Sequence, residues 1–170
     1  VEYPDMGGFY QVPHGYYVSM TLHYRQDIYD DLGLEEPETW NELKENARII
    51  EEDSGTEARG YAISAGTSKT GSEFPCMLNC AGGQLYRWKS DAREEVELAF
   101  EKEPVIDTIE FFQDMVEYSP DPTNQTYSNS LSGWANGRIA QNVNLNAWQI
   151  GVAESAGADE IASNSMVAAA

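Results

Sequence analysis

Amide side chains and a tryptophan follow one another in the stretch "GRIAQNVNLNAW", which ends at Trp148. Asn144, Asn146 and Trp148 could hold a ligand that has hydroxyl groups and a flat apolar face, because amides hydrogen-bond to hydroxyls and an indole stacks on C–H groups. Small-molecule sites combine a few placed polar groups with a mostly apolar wall. The residues also allow a second interpretation, in which Trp148 packs in the core and the asparagines cap the end of a strand.

Other chemistries have weaker support in the sequence. Cys76 and Cys80 are four residues apart, but no further metal ligands follow nearby, so both are predicted to be small buried core residues. His23 lies in an alternating segment and is predicted to be packed rather than catalytic. The 29 acidic residues could supply the paired carboxylates of a glycosidase, but most of them must be solvated. The chain shows no phosphate loop, metal motif or Ser-His-Asp arrangement, and no cofactor is expected.

The net charge of the chain limits the kinds of partner that it is expected to bind. Ten basic and 29 acidic residues give the 170-residue chain a net charge of -19. Nucleic acid is excluded as an expected partner and anionic membranes are disfavoured, because both require basic patches. Acidic residues spread evenly along a folded chain are typical of proteins from extreme halophiles, in which molar salt screens self-repulsion.

The elements that must position these groups alternate between strand and helix. Thr39 and Glu42 form a capping box at the start of the clearest helix, and Gly33 and Gly137 are expected to end two short helices. A further helix is expected to begin through Pro75. The last residues, from 154 onward, are expected to be weakly ordered or truncated. The predicted strands cover 16–24, 60–65 and 139–146, and the predicted helices cover 26–33, 39–55, 72–83, 104–118 and 130–137.

Periodicity predicts which side chains are buried. In the strand before Trp148, residues 139, 141, 143 and 145 are expected to face the core, and the alternate positions are expected to face outward. In the two longest helices, the predicted core residues are Trp40, Leu43, Ala47, Ile50, Ile106, Ile109, Phe111 or Phe112, Met115 and Val116. Trp88 and Trp134 are expected to pack in the core or on the surface. Strands interleaved with helices predict an α/β fold with one sheet covered by helices.

The order of motifs resembles that of a known family. The segments "HYRQDIYDDLGL", "PETWNELKENA", "GYAIS", "AGG", "VIDTIEFFQDMV" and "GWANGRIAQNVNLNAW" occur in the order found in extracellular solute-binding proteins of ABC importers, of the sugar-binding type related to maltose-binding protein. The sequence departs from the pattern at Arg25–Gln26, where Asn-Lys is usual, at Trp134, where Phe is usual, and at Asn146, where Gly is common. These departures concern the identity of the ligand rather than the fold.

The resemblance implies one lobe of a type II periplasmic-binding-protein-like fold, with a mixed sheet flanked by helices. It implies a hinge or crossover segment over 1–15, the second lobe over 16–150, and a return hinge or truncated tail over 151–170. The first lobe and the C-terminal helices of the family have no counterpart, so the chain is expected to be a fragment that offers half of a binding cleft.

The resemblance also implies a function without catalysis. Proteins of this kind are monomers that bind a sugar, oligosaccharide or polyol between two lobes and deliver it to a membrane permease. An extracellular lipoprotein held at the outer face of the cytoplasmic membrane is expected, although signal and anchor are absent from this chain. Two alternatives remain, a surface glycoprotein or adhesion module and a carbohydrate-active enzyme domain. The triplet "NQT", which makes Asn124 a glycosylation candidate, fits an exported protein.

The resemblance assigns further ligand contacts. Trp148 takes the place of a stacking residue, and Glu73 and Phe74 lie where related sugar binders have contacts. Alternatively, Glu73 simply occupies the first turn of a helix, where an acid suits the helix dipole. His14, Tyr16 and Tyr17 belong to the hinge-to-strand segment that faces the cleft. One of these three is expected to touch the ligand, since alternation sends Tyr16 and Tyr17 to opposite faces.

Overall fold

The computed structural model describes residues 2–3, 8–9, 20–53, 55–66, 69–92, 95–145 and 148–168. Strands and helices are interspersed along this part of the chain, in agreement with the predicted mixture of the two. The elements are β1 (Glu2–Tyr3), β2 (Gly8–Phe9), β3 (Met20–Arg25), α1 (Gln26–Leu32), α2 (Trp40–Glu52), α3 (Thr70–Cys80), β4 (Tyr86–Trp88), β5 (Val96–Leu98), α4 (Lys102–Met115), a 3-10 helix (Pro122–Asn124), α5 (Tyr127–Ala135), β6 (Gln141–Leu145), α6 (Trp148–Ser155), α7 (Asp159–Ser163) and β7 (Ser165–Ala168).

The main sheet has three strands in the order β6–β3–β7. Both pairings are antiparallel, with Met20 opposite Leu145 and Leu22 opposite Ala168. The start of β3 and the ends of β6 and β7 therefore lie at the same end of the sheet, which is called the Met20 edge below. The only parallel element among the described residues is a single bridge between Arg59 and Ile139.

Helices pack on both faces of this sheet. On one face, Leu22, Tyr24 and Val143 join the main hydrophobic core, to which the first four helices contribute. On the other face, a smaller core contains Trp134 of α5, Ala153 of α6 and Ala162 of α7. Trp134 is fully buried, and its Nε1 donates a hydrogen bond of 2.9 Å to Ser165 Oγ at the start of β7.

The strongest local signals of the sequence are confirmed. The capping box of α2 is present, with the Thr39 side chain accepting from Glu42 N and the Glu42 carboxylate accepting from Thr39 N. Gly33 ends α1 with φ of 67°, and Gly137 follows α5 with φ of 70°, a conformation that favours glycine. Leu43, Ala47 and Ile50 form the buried stripe of α2, and Trp40 packs partly buried against it.

The predicted alternation of β6 is wrong. Gln141, Asn142, Val143 and Asn144 are all buried, so both faces of the strand are covered. The physical reason is that helices lie on both sides of the sheet, and a strand in that position has no solvent face.

The predicted strand over 60–65 is also wrong in type, although the segment is buried. Tyr61, Ala62 and Ile63 have no exposed surface. Their backbone amides donate to three different partners, namely Tyr118 O, Gln141 O and Ser119 Oγ, instead of to one neighbouring strand.

Helices α3, α4 and α5 begin earlier than predicted, α5 at Tyr127. The first turn of α3 closes before Pro75, because the amides of Ser72 and Glu73 both donate to Lys69 O. Pro75 therefore lies inside α3 rather than at its entry. Helix α4 begins at Lys102, so Pro104 stands in its first turn, where its missing N–H has no helical partner to lose.

The outward face of α4 differs from the predicted one. Phe111, Phe112 and Met115 are buried, as predicted, whereas Ile109 is 43% and Val116 39% exposed. Ile106 is exposed in the same way. All three residues are exposed, so their assignment to the core is wrong.

The sequence patterns missed structure in two places and misjudged one cysteine. Residues 148–168 form α6, α7 and β7, and β7 is the third strand of the sheet, so the prediction of weak order is wrong. The charged stretch after Gly83 contains the β4–β5 hairpin. Cys80 is exposed rather than buried, while Cys76 is half-buried.

Candidate ligand-binding site at the end of β6

Trp148 is the first residue of α6 and follows β6 at the Met20 edge. Its side chain is 61% exposed, which is unusual for a residue next to a strand buried on both faces. A large ring in this position can act as a platform for an apolar ligand face. The interpretation that Trp148 is a core residue does not fit this exposure.

Asn144 connects the strand to the helix that carries Trp148. It is fully buried, and its Nδ2 donates a hydrogen bond of 2.8 Å to Gln149 Oε1. Because Gln149 is the second residue of α6, this bond fixes the first turn of the helix against the sheet. Asn144 thus has a structural role at the strand end, which the sequence left as one of two alternatives. Asn146 lies outside the described residues.

Glu73 lies in the interior of the protein. Its carboxylate is 3.0 Å from Lys69 Nζ, and neither side chain has exposed surface. Ser64 N donates to Glu73 Oε2 at 3.1 Å, and Tyr61 Oη donates to Glu73 Oε1 at 3.3 Å. Burial raises the pKa of Glu73 above its ordinary value, and the Lys69 ammonium opposes this shift. This buried network ties the segment around Tyr61 to α3, and no sequence motif identifies it.

Phe74 lines a different feature, an apolar groove between α3 and α4. The half-buried ring meets Phe112 edge to face, with 5.6 Å between the ring centres. The groove has a volume of about 440 Å³ and is also lined by Thr70, Ile109 and Val116. Phe74 is thus partly accessible, whereas its neighbour Glu73 is not.

His14, Tyr16 and Tyr17 lie outside the described residues. Leu145, the last residue of β6, pairs with Met20, the first residue of β3, so the strand that leads to Trp148 ends beside the start of β3.

His23 is packed in the interior, as predicted. It has no exposed surface, and its ring lies edge-on to Trp134 at 6.2 Å. Its Nε2 is 3.2 Å from Thr21 Oγ1. Burial, assisted by the positive charge of Lys69, lowers the pKa of His23 from 6.5 to about 4, so the ring is neutral at pH 7.

The described residues contain neither a candidate metal centre nor a candidate membrane span. In that part of the chain, no three His, Cys, Asp or Glu side chains come together as possible metal ligands. None of the described helices is long and apolar enough to cross a membrane.

Comparison with known proteins places these features in context. A family model described as bacterial extracellular solute-binding protein matches residues 2–168. No curated protein sequence matches the chain.

Solved structures with the same architecture include solute-binding proteins of ABC transporters. One from Thermotoga lettingae, bound with alpha-D-tagatose, has a TM-score of 0.72 and 26% identity over 88% of this chain and 38% of that chain. The GacH receptor of Streptomyces glaucescens, solved unliganded and with acarbose, has a TM-score of 0.69 and 21% identity over 90% of this chain and 37% of that chain. One from Agrobacterium vitis, with bound D-mannitol, has a TM-score of 0.70 and 19% identity over 90% of this chain and 36% of that chain.

These likenesses establish the fold as a mixed α/β lobe of the periplasmic-binding-protein type. The chain spans 38% or less of the length of these three structures.

Proposed function

We propose that this chain, which belongs to the bacterial extracellular solute-binding protein family, takes part in binding a sugar, oligosaccharide or polyol for an ABC importer. The proposed role is binding without chemistry, followed by delivery of the solute to a membrane permease. The observation that carries the proposal is the exposed indole of Trp148, held at the end of β6 by the bond between Asn144 and Gln149.

The chemistry of this position suits a polyhydroxylated ligand. A sugar ring offers C–H groups to an aromatic face and hydroxyls to nearby amides. The ligands named in the related structures are tagatose, acarbose and mannitol, which all carry several hydroxyl groups. In the proposed site, Trp148 stacks on the ligand, and Asn146 and one of His14, Tyr16 and Tyr17 supply polar contacts.

Glu73, Phe74 and Asn144 have different parts in this proposal. Glu73 and Asn144 are fully buried, so each is proposed to hold the surrounding elements in place rather than to contact the ligand. Phe74 is partly accessible in its groove and is a candidate for direct contact in the complete cleft.

The chain is proposed to form the second lobe over 16–150, with a crossover segment over 1–15 and a return hinge over 151–170. The Met20 edge supports this division, because the start of β3 and the ends of β6 and β7 meet there. The fragment would supply one wall of a cleft, and a first lobe would close over the ligand by hinge motion.

The remaining parts of the proposal concern the setting of the protein. We propose an extracellular monomer, anchored at the outer face of the cytoplasmic membrane, from a halophilic archaeon. The net charge of -19 supports the last point. Asn124 is exposed at the end of the 3-10 helix, which makes it accessible for glycosylation in an exported protein.

A thermal-shift screen in high salt tests the function. The full chain is heated with alpha-D-tagatose, D-mannitol, maltose or a short peptide, since a ligand that binds only the native state raises the Tm. We expect at least one sugar or polyol to raise the Tm. A shift with the peptide alone would contradict the proposed ligand class, and turnover of an oligosaccharide would contradict the absence of catalysis.

Two tryptophan variants localise the effect. Trp148→Ala should abolish the shift and change the free energy of unfolding by less than about 0.5 kcal/mol, because the side chain is mostly exposed. Trp88→Ala is the matched control, because Trp88 is 42% exposed in β4, outside the proposed site. Its shift should equal that of the unchanged protein. Retention of the shift in Trp148→Ala would rule out the stacking role.

A further inference from the structure

A group of buried polar side chains lies on the sheet face beneath α6. His23 and Asn142 are directly opposite each other in the antiparallel pairing of β3 and β6, so their side chains share a face and are near neighbours. Asn144 follows two residues later on the same face and reaches Gln149 of α6. His23, Asn142, Asn144 and Gln149 all have no exposed surface.

Several polar atoms of this group have no hydrogen-bond partner among the described residues. They are His23 Nδ1, Asn142 Oδ1, Asn142 Nδ2 and Gln149 Nε2. Buried polar groups in folded proteins are nearly always hydrogen-bonded, to protein or to ordered water.

The unpaired atoms form a balanced set of donors and acceptors. If His23 Nε2–H donates to Thr21 Oγ1, then Nδ1 is an acceptor, as is Asn142 Oδ1. Asn142 Nδ2 and Gln149 Nε2 are donors. None of these groups is charged at pH 7, since burial keeps His23 neutral. A small neutral molecule that both donates and accepts fits this set, and water is the one that fits a site closed to solvent.

We propose that His23, Asn142 and Gln149 form an internal hydration site, and that the bound water fixes the first turn of α6 and thereby orients Trp148. Both polar atoms of the Gln149 amide would then be hydrogen-bonded, with Oε1 accepting from Asn144 and Nε2 donating to the water. Asn142 and Gln149 are positioning residues for the indole. The orientation of Trp148 matters only if the proposed function holds, whereas the hydration site does not depend on it.

Asn142→Leu tests the hydration site, because leucine has a similar shape and removes both unpaired atoms. If the group is hydrated, the variant loses the water and leaves His23 and Gln149 unpaired, so the Tm should fall by several degrees. If the site holds no water, removing an unpaired amide should leave the Tm unchanged or raise it, and that result would overturn the proposal.

The positioning role needs a readout from Trp148 itself. In protein labelled with 5-fluorotryptophan, the ¹⁹F resonance of Trp148 is identified by its absence in Trp148→Phe. We expect Asn142→Leu to shift or broaden this resonance. Asn46→Leu is the matched control, because Asn46 is a buried amide in the other core, bonded to Glu35 O and Tyr29 Oη. It should lower the Tm and leave the Trp148 resonance unchanged.

The outcomes separate the two proposals. An unchanged Trp148 resonance in Asn142→Leu would reject the positioning role, even if the Tm falls. A perturbed resonance in a protein that binds no sugar or polyol would support the hydration site and reject the proposed function. If Asn142→Leu does not fold, a measurement on the unchanged protein decides the hydration site. In the unchanged protein, nuclear Overhauser effects between water and the Asn142 side-chain amide should be visible, and their absence would overturn the proposal.

Discussion

At the scale of single residues, the interior of this protein contains more polar groups than a simple hydrophobic core. His23, Lys69, Glu73 and Asn142 are all buried without exposed surface. Burying such a group costs free energy unless it is hydrogen-bonded, and burying a charge costs more unless the charge is paired. Lys69 and Glu73 are paired with each other, while His23 is kept neutral by its surroundings.

The neutrality of His23 predicts a pH dependence of stability. Its pKa is about 4 in the folded protein and about 6.5 when unfolded, so the unfolded chain binds more protons between these values. The contribution is therefore fully present above pH 6.5 and is lost as the pH falls towards 4. The loss should amount to roughly 3 kcal/mol in the free energy of unfolding.

Urea unfolding between pH 7 and pH 4 measures this contribution. His23→Leu provides the comparison, because it removes the titrating ring, whereas the many surface carboxylates titrate equally in both proteins. The stability of the unchanged protein relative to that of His23→Leu should decrease by roughly 3 kcal/mol as the pH falls from 7 to 4. A constant difference over this range would show that His23 retains an ordinary pKa.

At the scale of elements, the segment from Arg59 to Ser64 connects the layers of the fold. Arg59 pairs with Ile139, and Tyr61 reaches both the amide of Val143 and the carboxylate of Glu73. The segment approaches α2 closely, and this depends on Gly60, since a Cβ at this position would lie 2.2 Å from the backbone oxygen of Ala47. Backbone atoms in a helix cannot move aside as a flexible side chain can.

Gly60→Ala is therefore expected to be strongly destabilising. The added methyl group must push the segment away from α2, and overpacking of this kind costs about 1–3 kcal/mol or more. Chemical denaturation measures the change. Gly71→Ala is the matched control, because nothing lies within 4 Å of a Cβ built there and α3 favours alanine over glycine. A Gly60→Ala protein as stable as Gly71→Ala would contradict this account of the packing.

At the scale of the whole molecule, charge dominates. A net charge of -19 on 170 residues means that compaction brings many like charges together. The few described ion pairs on the surface, such as Lys44 with Asp114 and Arg87 with Glu97, cannot neutralise this excess. Self-repulsion therefore opposes folding when salt does not screen it.

We expect the Tm to rise with salt. The Debye length falls from about 10 Å at 0.1 M to about 3 Å at 1 M, so most of the gain should occur in this range. Thermal unfolding in sodium chloride measures it. A variant with Asp107→Asn and Glu110→Gln, which removes two exposed charges from α4, should start from a higher Tm and gain less from salt. An equal gain in both proteins would indicate that salt acts by a route other than screening.

Several features of the fold could be predicted from the sequence because they depend on local chemistry. The Thr39–Glu42 capping box and the glycines at 33 and 137 fix helix ends through their own backbone and side-chain bonds. The stripe of α2 follows from a helical period. The ordered motifs indicated the family, which the match over residues 2–168 confirms.

Other features could not be predicted because they depend on what packs against each element. The alternation of β6 is the same whether one face or both are covered, so only the helices on the second face decided that Asn142 and Asn144 are buried. Likewise, Ile109 has the same apolar side chain whether or not a neighbour covers it. No pattern in the sequence indicates that β4 and β5, around Trp88, pair as a hairpin, because both strands are short and exposed.

The same distinction between local chemistry and tertiary packing applies to the candidate site. The sequence by itself determined that amides and an indole follow one another at the end of a strand, and that the chain carries a large negative charge. Only the tertiary structure decided that Trp148 is exposed while Asn144 and Glu73 are buried with partners. The reason is that residue type sets what a side chain can bind, whereas burial is set by the layers that fold over it from distant parts of the chain.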